Sequence, residues 1–96
     1  MKNIDVDIYL NQLKTFFQKN PDSLKELIGD ADENIFYSKV EEQSYKNAQT
    51  GDDVSLTQKQ LIELVAKLLN LKKKEQIEQN VVGIFQMTSF GLISLN

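Results

Sequence analysis

Apolar residues recur along most of this chain at the spacing of amphipathic helices, with polar residues between them. The clearest helix start lies at Thr57, because Gln60 follows it at the spacing of a capping box. Leu56 and Leu61 occupy the two positions of a hydrophobic staple around that start. The apolar stripe that follows is wide, and its members are Leu61, Leu64, Val65, Leu68 and Leu69. We expect this helix to organise the core.

Three further helices are predicted before it. Apolar residues at i, i+3, i+4 and i+7 predict the first helix over residues 4–19. Asn20 and Pro21 mark a boundary, because proline fits the first turn of a new helix, and Gly29 marks the end of that short second helix. The third helix is predicted within residues 30–50, and its later turns carry small or polar residues on the inner face. A turn then leads to the fourth helix.

The end of the chain predicts a different structure. Asn70 is one candidate for the end of the fourth helix, but the residues after it are strong helix formers, so we expect the helix to continue, directly or after a kink, to about Gln79. Residues 80–96 have no charged side chain and are rich in β-branched and aromatic residues, with two apolar runs flanking Thr88-Ser89-Phe90-Gly91. This composition predicts an extended segment that forms a short β-hairpin.

The predicted fold is therefore mainly α, a small bundle of about four helices with a C-terminal extended segment. Residues 1–96 are expected to form a single domain, with the helical core at about 4–79 and the extended apolar segment at 80–96. The members of the predicted core are Leu10, Leu13, Phe17, Leu24, Leu27, Phe36, Val40, Leu61, Val65 and Leu68.

The composition narrows the chemistry that the chain can perform. With 41% hydrophobic and 26% charged residues, it is typical of a globular protein. The sequence contains no Cys, His or Arg, and so lacks the thiolate, imidazole and guanidinium groups that most catalytic and metal sites use. We expect a protein that is not an enzyme and has no cofactor.

Charge is distributed unevenly. Residues 1–57 carry eleven acidic and six lysine side chains, whereas residues 58–96 carry three acidic and five lysine side chains. An acidic first half disfavours nucleic acid as a partner. A weak nucleic-acid accessory role would have to use Lys59, Lys67 and Lys72–Lys74, and it is kept as an alternative. No apolar run is long enough to span a membrane and no signal-peptide pattern is present, so we expect no membrane partner and a cytoplasmic location.

One acidic cluster has the spacing of a calcium-binding loop. Positions 1, 3, 5, 9 and 12 of such a loop would be Asp30, Asp32, Asn34, Ser38 and Glu41. The sixth position requires Gly, but this chain has Ile35 there, and a β-branched residue in that turn is costly. We therefore expect no metal site. The acids are expected to cap the third helix, with Ile35 and Phe36 as its first core residues, and a divalent-metal-responsive module is the alternative.

The leading functional hypothesis is a small non-enzymatic interaction or accessory protein. An exposed strand edge with the composition of residues 80–96 would aggregate, so either the helices or a partner must cover it. The partner would be a second copy, in a homodimer or higher oligomer, or another protein. The residues predicted for this interaction are Ile84, Phe85, Met87, Phe90, Leu92, Ile93 and Leu95.

Overall fold

The structure is a computed structural model that describes residues 4–70 and 74–87. These residues form five α-helices, which are α1 (Ile4–Lys19), α2 (Pro21–Ile28), α3 (Glu33–Gln49), α4 (Gln58–Leu69) and α5 (Lys74–Met87). No strand occurs in this part of the chain. The prediction of a mainly α fold is confirmed, and α1 begins and ends where the apolar periodicity placed it.

One hydrophobic core joins the five helices. α1 packs against α2 and α3, and α5 packs against α4 and α2. Nine of the ten residues predicted for the core are buried, and the tenth, Leu68, is partly buried against it. Phe36 is completely buried, whereas Ile35 is 48% exposed, so the prediction that Ile35 is a core residue is wrong. Successive residues of a helix point in different directions, and only Phe36 points inward here.

Local signals set the boundaries of α2 and α3 largely as predicted. Pro21 is the first residue of α2, and Gly29 ends that helix with a φ of +58°, a conformation that glycine adopts without steric cost. Asn20 makes no side-chain cap to α2; its amide Nδ2 instead donates to the carbonyl of Phe16 at 3.0 Å and closes the end of α1. Asp32 caps α3 by accepting a hydrogen bond from the backbone N–H of Asn34 at 2.8 Å.

The start of α4 carries the predicted capping box and a further contact. Thr57 Oγ1 accepts from the N–H of Gln60 at 3.1 Å, and Gln60 Oε1 accepts from the N–H of Thr57 at 3.0 Å. Gln60 also exchanges two hydrogen bonds with the side-chain amide of Asn47 on α3, at 3.0 and 3.1 Å. Asn47 is only 4% exposed, and Gln43 Nε2 donates to its Oδ1 at 3.0 Å. Asn47, on the polar inner face of α3, is thus hydrogen-bonded to the start of α4.

The prediction that the fourth helix continues to about Gln79 is wrong. α4 ends at Leu69, and Asn70 adopts the left-handed conformation with φ 52° and ψ 41°. The N–H of Asn70 donates to the carbonyl oxygens of Ala66 and Lys67. Asparagine tolerates this conformation better than most residues, so it can stop a helix in a stretch of good helix formers.

The extended segment predicted from residue 80 is also wrong over residues 80–87, which belong to α5. Ile77, Val81 and Ile84 recur at helical spacing and are all buried. Burial of that stripe against α4 and α2 outweighs the strand preference of β-branched residues, which depends on context. The first arm of the predicted hairpin is therefore helical, and residues 88–96 lie outside the described part of the chain.

Within residues 4–70 and 74–87, no helix is both long and apolar enough to cross a membrane.

Candidate functional site

A groove with a volume of about 680 Å³ lies between the end of α1, α2 and the start of α3. Its base is apolar and consists of the buried side chains Phe17, Leu24 and Ile28 with the partly buried Ala31. Its rim is polar and consists of Lys14, Gln18, Lys25, Glu33, Asn34 and Tyr37. A pocket that combines an apolar base with a few polar groups on its rim is the usual form of a binding site.

The groove exists because the chain changes direction twice within a short distance. Pro21 has no N–H and cannot continue α1, so α2 leaves the end of α1 as a separate helix. Gly29, with its positive φ, turns the chain again before Asp32 starts α3. The three helix ends therefore surround a space that no side chain of the described residues fills.

A row of four aromatic rings connects α1 to α3 beside the groove, and two of these rings, Phe17 and Tyr37, line it. The ring centroids of Phe16 and Phe17 are 5.2 Å apart, those of Phe17 and Phe36 are 6.1 Å apart, and both pairs are edge-to-face. The row ends with Tyr37, whose ring lies 5.3 Å from that of Phe36. These distances fall in the range that favours aromatic pairs, and the Phe17–Phe36 pair is the one in the row that joins α1 to α3.

Tyr37 presents a protonated phenol to the groove. Burial raises the pKa of Tyr37 to about 12, and the carboxylate of Glu33 adds to the rise. The Nζ of Lys14 lies 5.4 Å from the centroid of the Tyr37 ring, within the distance of a cation–π contact. Near neutral pH the Tyr37 hydroxyl can therefore donate a hydrogen bond, and Lys14 is held close to it.

The charges that line the groove differ from those around it. Lys14 and Lys25 line it, and among the residues that the structure describes neither makes an ion pair. Glu33 is its one acidic lining residue in that part of the chain. Residues 21–33 as a whole contain five acidic side chains and one lysine. The groove is thus a small, lysine-lined site within an acidic stretch.

The residues predicted for interaction that the structure describes do not line the groove. Ile84 is buried in the core, Phe85 is partly buried against it, and Met87 is the last residue of α5. Phe90, Leu92, Ile93 and Leu95 lie outside the described residues. Part of the apolar character of this segment therefore serves packing within the chain.

The residues of the calcium-like spacing do not form a loop. Asp32 caps α3, while Asn34, Ser38 and Glu41 lie along that helix and Asp30 lies in the turn before it. Residues on a helix cannot wrap around one ion as a calcium loop does. In the part of the chain that the structure describes, no three acidic side chains come together at a position that could hold a metal ion.

The structure describes only some of the lysines of the nucleic-acid alternative. Lys59 and Lys67 are exposed on α4, and Lys74 begins α5, whereas Lys72 and Lys73 lie outside the described residues.

The groove itself was not predicted from the sequence. Three of its lining residues lie on different helices, Lys14 on α1, Lys25 on α2 and Tyr37 on α3. The spacing of residues along the sequence does not predict that they line the same groove. The available signal was the break at Asn20 and Pro21, which predicts that two helices diverge but not what lines the space between them.

Comparisons with known proteins do not assign the chain to a family. No protein-family model matches the chain, and no curated protein or solved structure matches it.

Proposed function

We propose that the protein is a non-enzymatic interaction protein that binds a peptide segment of a partner protein in the groove between α1, α2 and α3. The observation that supports the proposal is the groove itself, with its apolar base, its polar rim and its volume of about 680 Å³. This volume lies in the range of roughly 300–1,000 Å³ that is typical of ligand sites.

The lining of the groove suits the side chains of a peptide. Phe17, Leu24 and Ile28 offer an apolar surface on which an apolar side chain can be buried. Around that surface, the amides of Gln18 and Asn34 and the hydroxyl of Tyr37 can form hydrogen bonds that fix its orientation. No strand edge exists among the described residues, so in that part of the chain a partner docks through side chains rather than by adding a strand.

Selection from a random peptide display library tests this proposal. Asn34→Trp places a large ring on the groove from an exposed position. The matched control, Gln49→Trp, places the same ring at the exposed far end of α3, outside the groove. We expect peptides that bind the wild type and the control but lose affinity for Asn34→Trp. Peptides that bind all three proteins equally would show that binding occurs elsewhere.

A second proposal is self-association through α5 and the segment that follows it. Val82 is 37% exposed on α5, and Phe85 beside it is only partly buried. Light scattering after size-exclusion chromatography should show a dimer or higher oligomer that Val82→Lys weakens. A monomer at all accessible concentrations would contradict it.

A further inference from the structure

We infer that the segment bound in the groove carries a carboxylate side chain beside its apolar anchor, and that the residues flanking this motif are not acidic. This inference rests on the proposed function and adds the chemistry of the partner. The charges of the groove and of the surface immediately around it support this chemistry.

The lining of the groove favours a negatively charged group. Lys14 approaches from α1 and Lys25 from α2, and neither makes an ion pair with the described residues. The Tyr37 hydroxyl is a further donor, and no acceptor for it occurs among the described residues. Against these groups the lining has one carboxylate, that of Glu33. A carboxylate over the apolar base would thus meet two cations and a hydroxyl donor, and charge-assisted hydrogen bonds of this kind are stronger than neutral ones.

The surface outside the lining limits how much negative charge the partner can bring. Asp22, Glu26, Asp30 and Asp32 are exposed in the segments that border the groove, but none of them lines it. A partner with acids along its whole length would also face these carboxylates, and such like-charge contacts select against it. The same repulsion disfavours nucleic acid, whose phosphates are continuous. A single carboxylate with neutral or basic flanking residues can bind the lysines of the groove without bringing further negative charge to the acidic surface around it.

The peptides selected from the library provide the test. The enriched sequences are expected to share an Asp or Glu next to a large apolar residue, with neutral or basic residues around it. Lys14→Gln with Lys25→Gln should weaken the binding of these peptides about tenfold, which corresponds to ~1.4 kcal/mol. The control pair, Lys59→Gln with Lys67→Gln, removes the same charge from exposed positions on α4 and should leave the affinity unchanged. Circular dichroism melts establish that each variant is folded.

The possible outcomes separate this inference from the proposed function. If Asn34→Trp abolishes binding but the selected peptides lack a shared acid or ignore the lysine substitutions, the groove binds peptides and the carboxylate inference is overturned. If Asn34→Trp has no effect, or no peptide is enriched, both are overturned. Two further probes cover other occupants. A random single-stranded DNA oligonucleotide that binds through Lys14 and Lys25, or a dimer that Asn34→Trp dissociates, would each overturn the inference in favour of that occupant.

Discussion

Removing the Gln60 side chain should destabilise the protein strongly, because this residue joins the start of α4 to the buried face of α3. In Gln60→Ala, two hydrogen bonds with Asn47 and one with the Thr57 N–H are lost. Each such bond contributes about 0.5–1.5 kcal/mol, and a buried polar group left without a partner costs about 1–3 kcal/mol. Thr57 is exposed and water replaces its bond, whereas the Nδ2 of the buried Asn47 loses its partner. The expected loss is about 3 kcal/mol.

A loss of that size is easily measured in a chain of this length. At about 4–8 °C per kcal/mol for a domain of 60–100 residues, the melting temperature of Gln60→Ala should fall by roughly 12–24 °C. Gln60→Glu keeps an acceptor for the Thr57 N–H but loses the donor to Asn47 Oδ1, so it should cost about 1 kcal/mol. Melts followed by circular dichroism, together with urea titrations, measure both values.

A double-mutant cycle tests the reasoning behind the estimate. With Asn47→Ala as the second substitution, Asn47 and Gln60 should show a coupling energy of about 1–2 kcal/mol, since residues in one hydrogen-bond network are not additive. A coupling energy below about 0.5 kcal/mol, the level seen for independent sites, would refute the paired amides as the link between α3 and α4.

Three other predictions follow from single contacts. Tyr9→Phe should cost about 1–2 kcal/mol in urea unfolding, because the buried Leu56 N–H donates to the Tyr9 hydroxyl at 3.3 Å and would lose its acceptor; a neutral substitution would contradict this contact. Burial raises the folded-state pKa of Tyr9 and Tyr37 from 10.0 to about 12. The two protonated phenols therefore contribute to the free energy of unfolding, and this contribution is complete below pH 10 and is lost as the pH rises through 12. A phenolate absorbance titration in which all tyrosines ionise near pH 10 would contradict it. At Asn70, where φ is +52°, Asn70→Gly should be close to neutral and Asn70→Val should lower stability by about 1–2 kcal/mol in thermal melts, whereas equal effects would argue against the left-handed helix end.

Most of the fold could be predicted wherever the signal is local. Pro21 cannot continue the preceding helix, Gly29 admits a positive φ that other residues avoid, and Thr57 with Gln60 form a cap within a few residues, so these boundaries were correct. The buried face of α1 was equally predictable, because its periodic apolar residues belong to one core or pack against it, and these are Val6, Tyr9, Leu10, Leu13, Phe16 and Phe17.

The errors arose where tertiary packing decides between local alternatives. Val81 and Ile84 are β-branched residues that favour strands, but they lie in a helix because one stripe of α5 is buried against α4 and α2. Asn70 lies among helix formers and ends α4 through a conformation that the neighbouring sequence does not reveal. In the sequence, Asn47 is only a polar residue on the inner face of α3, and its role depends on its hydrogen-bond partner Gln60 on another helix.

The candidate site was the least predictable part for the same reason. Lys14, Lys25 and Tyr37 belong to different helices, and each of them reads in the sequence as an ordinary surface or core position. Only the directions of α1, α2 and α3 bring them around one apolar base. The acids of residues 30–41 stand out in the sequence, but they lie in the turn before α3, at its start or along it.

The most direct test of peptide binding in the groove is an amide NMR spectrum of the labelled protein titrated with the tightest peptide from the library. If the peptide binds in the groove, the shifts will be concentrated on the groove residues of α1, α2 and the start of α3, including Lys14, Lys25 and Tyr37. Shifts centred on Val82 and Phe85 of α5, with the groove amides unchanged, would contradict it.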